Sequence, residues 1–182
     1  MKPLSAERDW PEEAFREAFL EHYGRVTGVL YRLVGDAARA EELANEVFWR
    51  LYQQRTVPGP DGKLGGWLYR TATHVGIDAL RAAARRNHYE QAAARSFAES
   101  TPPSDPLRDM LREETRRCVR AALAWLRPAQ AQLLTLRASG FSYAELAEIL
   151  KLKAGSVGTM LTRAEAEFRK HYLRLHGNKE VL

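Results

Sequence analysis

Cys118 is the only cysteine in 182 residues, so no internal disulfide can form. That usage fits a reducing compartment. No apolar run approaches the roughly 18 residues that a membrane span needs. The opening "MKPLSAERDWPEE" has no apolar core of the signal-peptide kind. Metal-ligand patterns are missing too: His22, His74, His88, His171 and His176 are scattered, and neither HExxH nor CxxC occurs. The stretch "TVPGPDGKLGG" lacks the preceding strand and the GK[ST] order of a phosphate-binding loop. Strand-period alternation is absent throughout. A cytoplasmic, non-enzymatic protein is expected, without cofactor, metal or direct membrane insertion.

Charge and helical periodicity are what the chain does have. Apolar residues make up 45% and charged residues 28%, with a net charge of +5. The charge is uneven. Residues 1–50 hold seven basic against ten acidic side chains, residues 51–95 seven against three, and residues 119–182 ten against five. An acidic front followed by two basic blocks points to separate surfaces for separate partners, with nucleic acid a natural one for the basic blocks.

Apolar residues recur at helical spacing in Phe15, Phe19, Tyr23, Val26, Leu30 and Leu33, from Pro11 to a stop at Gly35. Asp36 is placed to cap a second helix with core positions Ala40, Leu43, Ala44, Val47 and Leu51. "TVPGPDGKLGG" reads as a loop, and a third helix is expected from about Trp67 to Arg86. "SFAESTPPSDP" breaks all periodicity and reads as a flexible linker, which predicts two bodies that move relative to one another. Leu107, Leu111, Cys118, Val119, Ala122 and Leu126 mark a further helix, with Cys118 as a small core residue. Pro128 and Gly140 bracket the next. Ser142 and Glu145 form a capping box for "YAELAEIL". The fold class expected is all-α, in two small helical domains: residues 10–95 and 107–176, with the linker at 96–106 and a tail at 177–182.

"FSYAELAEILKLKAGSVGTMLTRAEAEF" has the parts of a helix-turn-helix: a short capped helix, a tight turn and a longer helix. Val157, Leu161, Ala164 and Phe168 should face inward, leaving Ser156, Thr159, Met160, Arg163 and Glu167 on or near the outside. Lys151 and Lys153 flank the start of the second helix, where its dipole already favours a phosphate. Gly158 lowers helix propensity by roughly 1 kcal/mol relative to Ala and lets a backbone or phosphate come close.

Three segments in order carry a family likeness. They are "LVGDAARAEELANEVFWRLYQ", "GGWLYRTATHVGIDALRAAARR" and "ALAWLRPAQAQLLTLRASGFSYAELAEILKLKAGSVGTMLTRA". Together they resemble the extracytoplasmic-function (ECF) group of bacterial sigma factors. The resemblance implies a sigma-two helical bundle in the first domain and a sigma-four helix-turn-helix domain in the second. It implies a transcription initiation factor that binds core RNA polymerase, directs it to promoter DNA and helps separate the strands.

Residue by residue, the resemblance puts core polymerase on the face of Glu42, Asn45, Glu46 and Trp49. It puts the −10 promoter element on Lys63 and on Arg70, His74, Asp78, Arg81 and Arg85, which recur at helical spacing. The loop at 54–66 would hold a base flipped from the melting duplex. The −35 element falls to Lys151, Lys153, Ser156, Thr159 and Arg163. The chain departs from the family pattern at several positions. Thr73 stands where a basic residue is common, His74 where asparagine is usual, and Lys153 where Ser or Thr caps. Gly158 and Met160 replace positions that are often basic. An anti-sigma protein, often membrane-anchored in this family, is a further implied partner. The alternative left by the residues alone is a helix-turn-helix regulator that binds DNA without polymerase.

Overall fold

The computed structural model describes residues 12–54, 64–93 and 106–176. They form seven α-helices: α1 (Glu12–Val34), α2 (Ala37–Tyr52), α3 (Leu64–Ala93), α4 (Pro106–Trp125), α5 (Pro128–Ala138), α6 (Tyr143–Leu150) and α7 (Val157–His176). A single 3-10 turn, Ala154–Ser156, joins the last two. No strand occurs among the described residues.

The helix ends follow the local chemistry. Gly35 closes α1 with φ +74°, a left-handed conformation that glycine adopts without strain. The Arg120 guanidinium lies so close that a Cβ at Gly35 would collide with it. The Asp36 carboxylate then accepts the Arg39 N–H at 2.7 Å and caps α2. Pro128 occupies the first turn of α5, where its missing N–H costs nothing, and Gly140 follows the last turn with φ +87°. At α6 the capping box is complete. The Ser142 hydroxyl accepts the Glu145 N–H at 3.3 Å, and the Glu145 carboxylate accepts the Ser142 N–H at 2.7 Å.

Helix α3 is longer than the sequence pattern implies, taking in Gly65 and Gly66 at its start and the alanine-rich tail to Ala93. Packing offsets the poor propensity of the two glycines. A Cβ at Gly65 would lie 3.4 Å from the His22 ring, and one at Gly66 would lie 3.8 Å from the Ile149 Cα. The start of α3 therefore sits close against both α1 and α6.

The first half is built around an aromatic cluster between α1 and α2. Phe19 meets Phe48 edge-on at 4.9 Å between ring centroids and stacks on Tyr23 at 4.6 Å. In the second half, Val157, Leu161 and Ala164 of α7 are buried, as their spacing predicts, and Cys118 is buried in α4. Burial pushes the Cys118 thiol above its ordinary pKa, as expected of an inert core residue.

The two halves are not apart in space. One core joins Val26, Leu30, Leu43, Leu68, Tyr69 and Val75 to Leu133, Leu136, Phe141, Leu146 and Ile149. A second joins Leu33, Ile77 and Leu80 to Leu123, Leu126 and Ala131. The described residues form two helical halves that pack on one another across α3. The segment expected as a linker lies outside the described residues, except for Pro106, which opens α4.

Among the described residues, the Thr135 hydroxyl is buried without a hydrogen-bond partner. Thr135→Val keeps the shape and removes the unsatisfied group, so it should raise stability by about 1 kcal/mol. An increase in the urea midpoint at unchanged slope would show this, and a decrease would contradict it.

Candidate nucleic-acid interface

Helix α3 carries five of the residues expected to handle the −10 element, and the fold divides them. His74, Asp78 and Arg85 are exposed to solvent. Arg70 and Arg81 are half-buried and turned onto the second half. Arg70 Nε donates to the Ile149 carbonyl at 2.7 Å, and an Arg81 terminal nitrogen donates to the Leu126 carbonyl at 2.7 Å. Both acceptors lie at helix C-terminal ends, of α6 and α4, where carbonyls lack helical partners and the dipole is negative. Lys63 and most of the expected flipped-base loop, residues 55–63, lie outside the described residues.

Thr73, between these arginines, is fully buried. It accepts a hydrogen bond from Gln132 Nε2 at 3.1 Å and donates to the Arg70 carbonyl at 2.9 Å. Trp67 and Tyr69 belong to the core, and Tyr69 meets Phe141 edge-on at 4.7 Å. Burial raises the Tyr69 pKa, against a smaller opposing effect of Arg25. The Arg25 guanidinium lies 3.7 Å above the Phe141 ring centroid and 3.5 Å from the Glu145 carboxylate. None of this junction was visible in the sequence. The one local signal was Thr73 at a position where the family favours a base.

On α2, Glu42, Asn45, Glu46 and Trp49 share the exposed side opposite Leu43, Val47 and Leu51, which are buried. Both carboxylates already have neighbours on the same helix. Arg39 lies 2.7 Å from Glu42, and Arg50 lies 2.6 Å from Glu46. Asn45 accepts from the Tyr23 hydroxyl at 3.3 Å. Trp49 remains 56% exposed and stacks on Tyr52 at 5.5 Å, which leaves a large aromatic surface on this face.

The helix-turn-helix spans α6, the 3-10 turn and α7. Lys151 caps α6 in a left-handed conformation, φ 55°, and its side chain is exposed, as is that of Lys153. Thr159 and Arg163 are exposed one turn apart, while Ser156 is half-buried at the turn. Met160 does not belong with them: it packs, half-buried, against the core. At Gly158, a Cβ would meet only Tyr143, at 3.7 Å, so the protein itself leaves room for a side chain there.

The family models for Sigma-70 region 2 and Sigma-70 region 4 match residues 18–86 and 116–168. The chain belongs to the ECF sigma factors. It is 30% identical to the ECF RNA polymerase sigma factor SigE of Mycolicibacterium smegmatis, over 90% of this chain and 63% of that one. It is 27% identical to the RNA polymerase sigma factor CarQ of Myxococcus xanthus, over 90% of this chain and 91% of that one. The chain thus spans less than two thirds of the first relative and most of the second.

Two solved structures share the fold of this sigma factor. One is the sigma factor RpoE in complex with the anti-sigma factor NepR from Bartonella quintana. It has a TM-score of 0.51 at 20% identity, covering 92% of this chain and 99% of that one. The other is CnrH in complex with the cytosolic domain of CnrY. It has a TM-score of 0.55 at 16% identity, covering 93% and 92%. No helix among the described residues is long and apolar enough to cross a membrane.

The capping box of the sigma factor's helix-turn-helix is also a titrating element. The Ser142 backbone N–H and hydroxyl, with Arg25 adding, hold the Glu145 carboxyl below its ordinary pKa. A depressed carboxyl stabilises the fold above its unfolded-state pKa, and this contribution is lost as pH falls through the folded value. Glu145→Gln should therefore lower stability at neutral pH, by less than about 1 kcal/mol given the exposure of the pair. The difference from wild type should close as pH drops below the ordinary carboxylate range. Thermal melts of both proteins from pH 7 to pH 3 would reveal this convergence, and parallel curves would count against it.

Proposed function

We propose that this ECF sigma factor is a transcription initiation factor that binds core RNA polymerase and directs it to specific promoters. In this reading the chain recognises −35 and −10 elements, assists strand separation and performs no catalysis of its own. The observation that carries it is the ordered pair of region 2 and region 4 matches in one chain. An exposed tryptophan on an acid-rich helix face and a complete helix-turn-helix agree with it. Residues 10–95 serve as the sigma-two domain and residues 107–176 as the sigma-four domain.

Core polymerase docks on Glu42, Asn45, Glu46 and Trp49. Arg70, His74, Asp78, Arg81 and Arg85, with Lys63, serve the −10 element. Positive charge there supplies backbone affinity, while His74 and Asp78 hydrogen-bond to unstacked base edges. Lys151, Lys153, Ser156, Thr159 and Arg163 serve the −35 element, with the lysines on phosphates and the hydroxyls on base edges. The protein works in the bacterial cytoplasm, at the nucleoid when active. Its regulating partner is an anti-sigma protein, as in the complexes of RpoE with NepR and CnrH with CnrY.

The decisive experiment titrates labelled protein into bacterial core RNA polymerase. Reversing Glu42 and Glu46 to lysine should weaken binding at least tenfold, and Trp49→Ala should cost about 2 kcal/mol, as buried aromatic anchors do. Absence of binding at micromolar core would sink this reading and leave a polymerase-independent regulator. Gly158→Lys tests the −35 assignment separately. With holoenzyme on a −35-containing duplex, it should tighten binding and steepen the salt dependence by about one unit, the effect of one added phosphate contact. An unchanged slope would remove Gly158 from the DNA face.

A further inference from the structure

We propose that the outer face of α1 is a pairing surface for a second copy of this chain, the two helices lying antiparallel about a twofold axis. Among the described residues, α1 leaves two large apolar side chains in solvent, Leu20 at 72% exposure and Tyr31 at 46%. They stand about three helical turns apart, so both fall on one line. That line runs on the side away from Ala18, Val29 and Leu33, which are buried. Gly24 and Gly28 lie on or beside it, both exposed, and a Cβ at either would meet nothing within 4 Å. The face is apolar at both ends, low in the middle and uncovered by the described chain.

Charge selects the partner and its direction. Helical spacing puts Glu17, Glu21 and Arg32 on one flank of the Leu20–Tyr31 line, with Arg32 in the last turn. All three are exposed, and among the described residues neither Glu17 nor Arg32 has an ion-pair partner. Glu21 has only His22, at 3.8 Å, while Arg25, farther round the helix, is taken by Phe141 and Glu145. When two copies of one helix pack antiparallel, like flanks meet. Leu20 then faces Tyr31 of the second copy, and Glu17 and Glu21 stand beside its Arg32. Arg16, on the opposite flank, falls beside the negative end of the second α1. One twofold operation makes each contact twice, which is how a self-complementary patch closes into a dimer. A parallel pair would instead bring the two acidic halves together and leave both Arg32 side chains apart from them.

The size of the face sets the strength. A helix of 23 residues runs about 35 Å and is about 10 Å wide. Two such faces bury less than the roughly 1,200 Å² of a stable interface. Pairing is therefore weak, on the order of 10–100 μM, because so small an area barely offsets the cost of association. The chain is a monomer when dilute and a dimer when concentrated. Pairing through α1 is independent of which residues meet polymerase or promoter DNA.

The test is sedimentation equilibrium of the full chain in low salt, from about 1 to 300 μM, a range that brackets the expected constant. The average mass should rise from that of one chain towards that of two. Leu20→Ser, at an exposed position, should keep the thermal midpoint and weaken pairing about tenfold, the cost of losing an apolar anchor. Glu17→Arg with Glu21→Arg should weaken it by a similar factor, by facing Arg32 of the second copy with like charge. Adding Arg32→Glu to that variant should restore pairing, since each flank then meets its opposite again. Should Leu20→Ser lose its helical signal, the loss and return across the two charge variants carries the same comparison. A wild type that stays monomeric at the highest concentration overturns the proposal. So does a dimer unaffected by these substitutions, which would place pairing elsewhere, or a charge reversal that Arg32→Glu fails to rescue, which would exclude the antiparallel arrangement.

Discussion

Helix α3 has to satisfy neighbours on more than one side, and the arrangement of the rest follows from that requirement. Leu68, Ala72 and Val75 are buried in a core that includes α1 and α2, while Ile77 and Leu80 sit with Leu33 against Leu123, Leu126 and Ala131. Each fully buried leucine is worth about 1.5–3 kcal/mol, whereas a net intramolecular hydrogen bond contributes about 1 kcal/mol. The apolar junction therefore supplies most of the attraction between the halves. The bonds from Gln132, Arg70 and Arg81 set its register, because they leave costly orphan groups in any other alignment. Interfaces of this kind within one chain are separable when a partner offers more.

The arginines of the molecule fall into two classes with different energetic weight. Arg39 and Arg50 form exposed ion pairs with Glu42 and Glu46, and exposed pairs of this spacing contribute only a few tenths of a kcal/mol. A partner with its own cations can displace them at little cost, which leaves the acid face of α2 available. Arg70, Arg81 and Arg120 are partly buried against the rest of the protein. Arg120 binds Glu113, whose pKa it lowers, and lies over Gly35 at the end of α1. The Arg70 and Arg81 bonds cross between the halves, whereas the Arg120–Glu113 pair is internal to α4.

Much of this was legible in the sequence, and the rest was hidden for a physical reason. Helix starts and stops are written locally: Asp36, Pro128, Gly140 and the Ser142–Glu145 pair act within four residues of their own positions. Periodicity likewise separated Val157, Leu161 and Ala164 from Thr159 and Arg163. What periodicity cannot say is which second surface a helix meets. Arg70 and Arg81 share the spacing of His74, Asp78 and Arg85, yet only the first two meet carbonyls 79 and 45 residues away. Gly65 and Gly66 looked like loop because propensity was the only guide. The ring of His22 and the backbone of Ile149 make them helix.

The helix-turn-helix shows how one misplaced side chain changes a functional argument. With Met160 taken into the core, the exposed side chains in the first two turns of α7 are Thr159, Thr162 and Arg163, with Ser156 at its entry and two lysines before it. Lys151 is held in a left-handed conformation, which costs a non-glycine residue roughly 1 kcal/mol, so its backbone serves the tight turn. Gly158 and Met160 carry no charge, so a duplex laid on these turns would release fewer counterions than one on a helix with basic residues there. On α3, Arg70 and Arg81 are likewise held, by the Ile149 and Leu126 carbonyls of the second half. On both basic elements, packing against the rest of the chain takes inward side chains that spacing alone would leave outward.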